Sequence, residues 1–280
     1  MAGKRTHGAH AVVTGAGSGI GEAFALELAD RHGRVVCADI DLAAAERTVT
    51  KIKAAGAEAV AVPCDVADPD EVGELAAATR SWLGREPDLV INNAGVGAGG
   101  RVVGDSTLDE WRRTLGVNLW GVIHGCHEFL PAMRRQRTGG VINVASAAGF
   151  TAAPKMAAYN VSKAGVVSLS ETLAAELSGS GVRVTVLCPT FVRTAIFGGE
   201  LIDPGVGQLA RKIAGVVGFS AERVARTTLD AHDRGRLYVV PQPDAQILWR
   251  AKRFLPTPYA RIAGLLGRLV PDAGKKQERP

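Results

Sequence analysis

Residues 14–21 of this 280-residue chain, with the sequence TGAGSGIG, are its strongest indication of a fold. They end a short apolar run, residues 10–14 (HAVVT), that predicts a buried strand, and they open a helical pattern that continues to about residue 32. A glycine-rich turn before a helix offers backbone N–H groups and a positive dipole end to an anion. The spacing is not a strict G-x-G-x-x-G, because Ile20 stands where the last glycine would be. A plain turn is the alternative, but the flanking strand and helix favour a pyrophosphate site with these contact residues: Gly15, Ser18, Gly19, Ile20 and Gly21.

The rest of the chain repeats the alternation of short apolar runs and helical patterns. Further strands are predicted at residues 34–39, 58–64, 88–92, 140–145, 183–188 and 237–240, and helices in between, such as 42–55 and 68–84. Strands that are apolar on both faces and separated by helices indicate a parallel sheet with helices on both sides. Right-handed crossovers then make it an α/β, doubly wound sheet.

No linker rich in serine or proline divides this body. We therefore expect one catalytic domain over residues 1–245, in which residues 190–220 form a lid, followed by a helical C-terminal extension over residues 246–280.

Composition and charge exclude several classes of protein. The hydrophobic fraction of 46% and the charged fraction of 22% are ordinary for a globular domain. The net charge is +5, but residues 246–280 hold eight basic and two acidic residues, which leaves −1 for residues 1–245. We therefore expect no nucleic-acid partner. The chain runs almost directly into its first strand and has no apolar stretch long enough to span a bilayer, so we expect a cytoplasmic protein.

The four cysteines, Cys37, Cys64, Cys126 and Cys188, form no Cys-x-x-Cys pair, and three of them lie in or at the end of predicted strands. This pattern favours buried, reduced thiols and gives no support to a metal site.

Polar and small residues follow the second, third and fourth predicted strands. Asp39 ends the second strand, where a carboxylate accepts hydrogen bonds from ribose hydroxyls and repels a 2′-phosphate. No Arg or Lys lies within residues 16–20 or directly after Asp39, so NAD is preferred over NADP. Asp65 and Val66 are placed to meet an adenine edge. After the fourth strand the sequence NNAG lets the chain pass close to a cofactor, through Asn92, Ala94 and Gly95.

Tyr159 and Lys163 are spaced i, i+4, which places them on one helix face, and Ser146 precedes Tyr159 by 13 residues. Two such residues meet by chance on many exposed helices. An ammonium beside a phenol, however, favours the phenolate, so we expect the Tyr159 pKa to be lowered and the phenol to exchange protons near neutral pH.

Together these residues resemble the short-chain dehydrogenase/reductase family over about residues 7–241. The resemblance rests on the glycine turn, Asp39, Asp65, the NNAG run, Asn118 in VNLWG, Ser146, and Tyr159 with Lys163. It implies a Rossmann-type sheet, commonly of seven strands, and hydride transfer between a nicotinamide cofactor and an alcohol or carbonyl.

The resemblance also implies a role for each residue. Tyr159 exchanges the proton of the alcohol, Lys163 holds the nicotinamide ribose and stabilises the phenolate, Ser146 binds the substrate oxygen, and Asn118 orders a water that relays protons. Pro189, Val192 and Thr194 hold the carboxamide side of the cofactor. The family often has Pro-Gly where this chain has Pro189-Thr190, which puts the path of the backbone there in doubt.

The lid suggests a substrate class. It carries eleven large apolar residues: Phe191, Ile196, Phe197, Leu201, Ile202, Val206, Leu209, Ile213, Val216, Val217 and Phe219. An apolar lid favours a lipophilic secondary alcohol or its ketone, such as a steroid, retinoid, terpenoid or long-chain compound. The alternative is that these side chains only pack the lid onto the body. Residues 97–103 are expected to form another wall of the pocket.

The extension combines apolar residues at helical spacing with basic residues. It could dock on its own or a partner subunit, or lie on an anionic membrane surface as a peripheral contact. The family resemblance suggests a homodimer or homotetramer. A different class of function, an NAD(H)-binding redox sensor or scaffold with the same fold, would be favoured by loss of a catalytic residue, and none is lost.

Overall fold

The computed structural model describes residues 5–268, which contain a seven-stranded parallel sheet. Its strands are β1 His10–Thr14, β2 Arg34–Asp39, β3 Ala59–Pro63, β4 Leu89–Asn92, β5 Gly140–Val144, β6 Arg183–Leu187 and β7 Tyr238–Val239. The spatial order is β3-β2-β1-β4-β5-β6-β7. The predicted doubly wound α/β fold is confirmed, and each predicted strand lies within about two residues of its observed bounds.

Helices cover both faces of the sheet. They are α1 Gly19–Asp30, α2 Leu42–Ala54, α3 Pro69–Leu83, α4 Leu108–Leu115, α5 Gly121–Gln136, α6 Ala148–Thr151, α7 Ala157–Glu176, α8 Pro204–Val217, α9 Ala221–Asp233, α10 Pro243–Phe254 and α11 Pro256–Gly267. Helix bounds follow local chemistry. For example, Asp68 caps the N-terminus of α3 by accepting from the Asp70 N–H, Pro69 occupies its first turn, and Gly84 ends it with a left-handed φ of 70°.

The strand order reverses next to β1, and this reversal positions the site. The chain builds β2 and β3 on one side of β1, then crosses over to place β4 on the other side. Val12 of β1 therefore pairs with Val36 on one side and with Val90 on the other. In such a sheet the loops after β1 and β4 diverge at the carboxyl edge and leave a crevice between them.

Two apolar layers fill the space between the sheet and its helices. Phe24 and Leu28 of α1 pack on one face with Ile91, and Phe129 of α5 packs on the other face with Val90. All four cysteines are buried and have free thiols, as predicted.

The predicted lid, residues 190–220, contains a short 3-10 helix, Ala195–Gly198, and α8. An isolated bridge between Gly99 and Ile202 ties it to the body, and a second bridge, between Val192 and Phe219, joins its two ends. Part of its apolar surface faces solvent, because Leu209, Ile213, Val216 and Val217 of α8 are exposed. Residues 97–100 pack under the lid: a Cβ placed on Gly97 would lie 2.5 Å from the Ile202 side chain.

The C-terminal extension begins as two helices, α10 and α11, which we call the C-terminal hairpin. The basic and apolar residues expected beyond it, including Val270 and Lys275, lie outside the described residues. The division of the chain at residue 245 stays a prediction. None of the helices described between residues 5 and 268 is both long and apolar enough to cross a membrane.

Candidate active site

A cavity of about 610 Å³ opens at the carboxyl edge of the sheet, where the strand order reverses. Most of the residues that the sequence analysis selected line this one cavity. They are Gly15, Ser18, Gly19, Ile20, Asp39, Asp65, Val66, Ala94, Gly95, Ser146, Tyr159, Lys163, Pro189, Val192 and Thr194. Residues from loops after five different strands thus meet in one place.

Three selected residues lie behind the cavity wall. The Asn92 side chain is buried and donates to the Asn143 Oδ1 at 2.9 Å, so its amide supports the sheet, and Asn93 lines the cavity instead. Gly21 lies in the first turn of α1, where a Cβ would come within 2.0 Å of the Gly15 carbonyl oxygen. Asn118 is also buried. Asn92 and Gly21 therefore do not line the cavity, and their contact with a cofactor stays a prediction.

The glycine turn makes a close approach to the loop after β4. Gly15 has a φ of 64°, and a Cβ there would lie 2.8 Å from the Ala94 Cα. Glycine is therefore required both for the backbone conformation and for the space. Ser18 is the N-cap of α1 and makes no side-chain hydrogen bond to the helix. The first turn of α1 thus opens toward the cavity with its N–H groups available to an anion.

Asp39 connects the second strand to the glycine turn. One carboxylate oxygen accepts from the Gly17 N–H at 2.8 Å, and the other accepts from the Asp41 N–H at 3.0 Å. The carboxylate still lines the cavity, next to Ile40, which is 72% exposed. The residue after Asp39 therefore carries no cation that could receive a phosphate.

Ser146, Tyr159 and Lys163 come together on one wall. Tyr159 and Lys163 lie on α7, and the Tyr159 hydroxyl is hydrogen-bonded to Ser146. The Lys163 ammonium lies 5.9 Å from the centre of the Tyr159 ring and donates to the Val144 carbonyl at 2.9 Å. Ser146 is held in place because its Oγ accepts from the Ala148 N–H at 3.1 Å. The arrangement presents a phenol, a hydroxyl and an ammonium to the same space.

The electrostatics differ from the expectation that Lys163 lowers the Tyr159 pKa. Burial raises the pKa of Tyr159, and the hydrogen bond with Ser146 opposes this only in part. Burial also lowers the pKa of Lys163 to about 8, since few compensating charges surround it. The physical reason is distance: the ammonium donates to a backbone carbonyl and lies beside the ring, so desolvation outweighs its attraction for a phenolate.

Asn118 lies in a π-helical turn, Gly116–Trp120, that joins α4 to α5. Its Nδ2 donates to the Val96 carbonyl at 2.9 Å, and its Oδ1 accepts from the Val96 N–H at 2.8 Å. Single π-turns are frequent at functional sites. The sequence analysis did not foresee this turn, because nothing in its composition distinguishes it from an α-helix.

Several cavity residues escaped the sequence analysis: Ile40, Ala67, Asn93, Arg112, Arg113 and Val117. Arg113 also pairs with Glu200 of the lid at 3.4 Å. Asn93 and Val117 lie within the NNAG and VNLWG motifs, and Ile40 and Ala67 lie in the loops after β2 and β3. Arg112 and Arg113 belong to no motif, and only the position of α4 brings them to the cavity.

Thr190 settles the doubt about the loop after β6. It lines the cavity, and it is absent from the residues with positive φ in the described chain. The turn therefore needs no glycine at this position.

Comparisons with known proteins agree with this geometry. A profile of the family described as short chain dehydrogenase matches residues 9–202. The 1-deoxy-11-beta-hydroxypentalenate dehydrogenase of Streptomyces exfoliatus is 37% identical over 242 residues, which cover 86% of this chain and 85% of that relative. The probable oxidoreductase EphD of Mycobacterium tuberculosis (strain ATCC 25618 / H37Rv) is 34% identical over 264 residues, or 90% of this chain, and the chain spans 44% of the length of that relative.

Among solved structures, a short chain dehydrogenase/reductase from Burkholderia phymatum in complex with NAD superimposes with a TM-score of 0.82 at 37% identity. The match covers 89% of this chain and 94% of that one. Because the family profile matches residues 9–202 and the relative from Streptomyces exfoliatus is 37% identical over 85% of its own length, the chain belongs to the short-chain dehydrogenase/reductase family.

Proposed function

We propose that this chain is an NAD-dependent dehydrogenase/reductase that interconverts a lipophilic secondary alcohol and its ketone. The observation that carries the proposal is the meeting of Ser146, Tyr159 and Lys163 in the cavity that also contains the glycine turn and Asp39.

The cavity fits a dinucleotide. Gly15 and Gly19 add no side chain to the approach to the N-terminus of α1, and Asp39 offers a carboxylate to ribose hydroxyls. Asp65 and Val66 line the adenine side, and Val192 and Thr194 the nicotinamide side. The preference for NAD over NADP rests on the Asp39 carboxylate and on the uncharged Ile40 beside it. A bound nicotinamide cofactor supplies the acceptor or donor of hydride.

The chain's own residues handle the proton. In the oxidative direction Tyr159 would act as the phenolate: after releasing its own proton to solvent it would accept the hydroxyl proton of the alcohol, while the C–H hydride passes to a bound nicotinamide. In the reductive direction the Tyr159 phenol would donate its proton to the carbonyl oxygen. Ser146 holds the substrate oxygen, and Lys163 holds the nicotinamide ribose. The raised pKa of Tyr159 suits the reductive direction at neutral pH, since the phenol then carries a proton to donate.

Gly95 supports the proposed water relay. A Cβ at this position would lie 3.1 Å from the Asn118 Oδ1 and 3.5 Å from the Lys163 Nζ. The missing side chain leaves room between the two polar groups, which a water needs in order to bridge them. Asn118 would hold that water and connect Lys163 to solvent.

A lipophilic substrate is supported by apolar side chains in the wall of the cavity. Ile196, Phe197 and Leu201 of the lid line the cavity together with Val96. The names of the relatives from Streptomyces denote dehydrogenation of a hydroxyl compound, which agrees with the proposed reaction.

The test is NADH production across alcohols of graded size: 2-propanol, cyclohexanol, 2-octanol, menthol and a hydroxysteroid. We expect turnover that increases with apolar bulk, and NAD to be used in preference to NADP. Tyr159→Phe removes the hydroxyl and keeps the ring, so it should lower turnover by at least about 100-fold while NADH still binds. Undiminished turnover in this variant would refute the mechanism. No turnover with any alcohol or its ketone, with NADH still bound, would instead favour the redox-sensing alternative.

We also propose that the outward face of the C-terminal hairpin contacts anionic lipid. This face exposes large apolar residues, namely Ile247, Phe254, Leu255, Ile262, Leu265 and Leu266, beside the exposed arginines Arg250, Arg253, Arg261 and Arg268. Such a face attracts an anionic surface, whereas a second copy of it would bring like charges together.

Sedimentation with phosphatidylserine/phosphatidylcholine vesicles tests this contact, and pure phosphatidylcholine vesicles are the control. Binding should weaken with salt and be lost in the double variant Arg253→Glu/Arg261→Glu. Equal binding to both kinds of vesicle, or no binding, would refute the lipid contact.

Light scattering tests the proposed homodimer or homotetramer. A contact between subunits would cover exposed apolar residues such as Leu108 and Trp120.

A further inference from the structure

The C-terminal hairpin, together with Gln242 directly before it, contacts two segments that carry proposed active-site residues. The first segment, residues 146–155, runs from Ser146 through α6 toward Tyr159. The second, residues 189–192, follows β6 and lines the cavity on the side proposed for the nicotinamide. Neither the catalytic motif nor the glycine turn involves the hairpin, so these contacts need their own explanation.

Gln242, the residue that precedes α10, binds the second segment through its side chain. Its Oε1 accepts from the Thr190 N–H at 3.2 Å, and its Nε2 donates to the Phe191 carbonyl at 3.0 Å. Gln242 is only 2% exposed, and its two backbone partners are partly buried. Asp244, two residues later, accepts from the Thr190 hydroxyl at 3.4 Å. The segment is therefore held at Thr190, the position where the family often has glycine.

The hairpin holds the first segment through side-chain packing. Trp249 of α10 lies 5.5 Å from Phe150 of α6 and 5.1 Å from Tyr238 of β7, measured between ring centres. Tyr259 of α11 is hydrogen-bonded to the Thr151 side chain. At the end of α11, a Cβ on Gly267 would lie 2.8 Å from the Pro154 ring, so α11 and the first segment are in close contact there.

The two segments are joined to each other and to the proposed catalytic residues. The Pro189 carbonyl accepts from the Ala147 N–H at 2.9 Å and from the Ser146 Oγ at 3.4 Å. Helix α6 also packs closely against α7, since a Cβ on Gly149 would lie 2.7 Å from the Lys163 carbonyl oxygen. A shift of either segment would therefore move Ser146 relative to Tyr159 and Lys163.

The first segment also contains strained backbone. Ala152 and Lys155 have φ values of 53° and 62°, in the left-handed region that residues with a Cβ seldom adopt. Such conformations persist where the surroundings enforce them. The hairpin contacts Thr151 and Pro154, which flank Ala152, and so supplies part of that enforcement.

We propose that the C-terminal hairpin is a clamp on the active site, in which Gln242 is the main positioning residue and Trp249 the second. The inference rests on the proposed function, because the geometry that it preserves is the distance between Ser146, Tyr159 and the nicotinamide side of the cavity. Gln242 touches neither substrate nor cofactor and acts through Thr190 and Pro189. The Gln242 side chain is buried and forms two hydrogen bonds to one backbone turn. A glutamine that made only a surface hydrogen bond would show neither feature.

The test compares Gln242→Met with Gln246→Met in the full-length protein. Both replace a glutamine of this region by an apolar side chain of similar length. Gln246 donates to the Val240 carbonyl at 2.9 Å, within the hairpin's own root, and contacts neither segment through this bond. Turnover is measured with the alcohol that the wild-type protein oxidises fastest, NADH binding by fluorescence, and amide hydrogen exchange in peptides that cover residues 146–155 and 187–193.

We expect Gln242→Met to lower kcat by at least about 10-fold, because small displacements of reacting groups are costly. NADH affinity should change by less than about 3-fold, and exchange should quicken in both peptides. Trp249→Leu should quicken exchange in the first peptide and lower kcat as well. Gln246→Met should leave all three measurements near those of the wild-type protein.

The proposal fails if Gln242→Met leaves kcat and exchange unchanged, or if Gln246→Met has the same effect, since the loss would then reflect general destabilisation. If Gln242→Met does not fold, the Trp249→Leu variant tests the proposal instead, through its kcat and its amide exchange. If the wild-type protein oxidises no alcohol, the proposed function fails, and amide exchange alone still decides whether the clamp exists.

Discussion

Lys163 lowers the stability of the folded protein at neutral pH, and its replacement by methionine should reveal by how much. The side chain is 3% exposed, and burial lowers its pKa from 10.5 to about 8. At about 1.4 kcal/mol for each pH unit, this fall corresponds to about 3 kcal/mol that the charged form costs in the folded protein. Lys163→Met also loses the hydrogen bond to the Val144 carbonyl, which costs about 1 kcal/mol. We therefore expect the variant to be more stable than the wild-type protein by about 2 kcal/mol at pH 7.

The sign of the effect reverses at alkaline pH. Between about pH 8 and 10.5 the unfolded chain holds a proton on Lys163 that the folded chain has released, so the wild-type protein gains stability as the pH rises. The variant lacks this gain. Its advantage should vanish and become a deficit of about 1 kcal/mol near pH 10.5, where only the lost hydrogen bond remains.

Urea unfolding at pH 7, 9 and 10.5, followed by tryptophan fluorescence, measures the difference. Lys53→Met, at an exposed position of α2, is the control and should change stability by less than about 0.5 kcal/mol at each pH. The variant should also lose turnover. A difference between Lys163→Met and the wild-type protein that does not change with pH would refute the lowered pKa, and with it the view that this ammonium is kept for function at a cost in stability.

Two further predictions concern a cofactor contact and a buried histidine. Asp39→Ala removes the carboxylate that repels a 2′-phosphate, so it should reduce the ratio of kcat/KM for NAD to that for NADP by about 10-fold or more; a wild-type protein that already prefers NADPH would contradict the role of Asp39. Burial lowers the pKa of His232 from 6.5 to about 4, and the side chain is 1% exposed. Because the unfolded chain binds a proton here between these pH values and the folded chain does not, stability should fall by about 3 kcal/mol as the pH drops from 6.5 to 4. His232→Gln should flatten this part of the unfolding curve measured against pH, and an unchanged slope would show that other groups cause it.

Much of the fold could be predicted because its information is local. Strands buried on both faces must be apolar throughout, and the helices between them begin and end at residues such as Asp68 and Gly84 that make the caps. The glycine turn is also local, since Gly15 needs its conformation whatever lies around it. The order of the motifs along the chain is also available from the sequence, and it indicates the family without any knowledge of the distances between the motifs in space.

The lid and the hairpin were harder to predict for a physical reason. An apolar residue at helical spacing can cover a pocket, pack on the body or face solvent, and the local sequence is the same in each case. Phe197 lines the cavity and Val216 is exposed, although both belong to the same apolar segment. Only the position of α8 against its neighbours distinguishes them.

The residues that can do the chemistry are recognisable in the amino-acid sequence: a glycine turn, a carboxylate after β2, and a tyrosine and lysine one helical turn apart. Their protonation and the contacts that hold them in place depend on the packing of the whole chain. Burial raises the pKa of Tyr159, against the expectation from its neighbour Lys163, because desolvation depends on every atom packed around a group. In the same way, Gln242 holds the turn at Thr190 from 52 residues away along the chain, and no spacing rule connects residues so far apart.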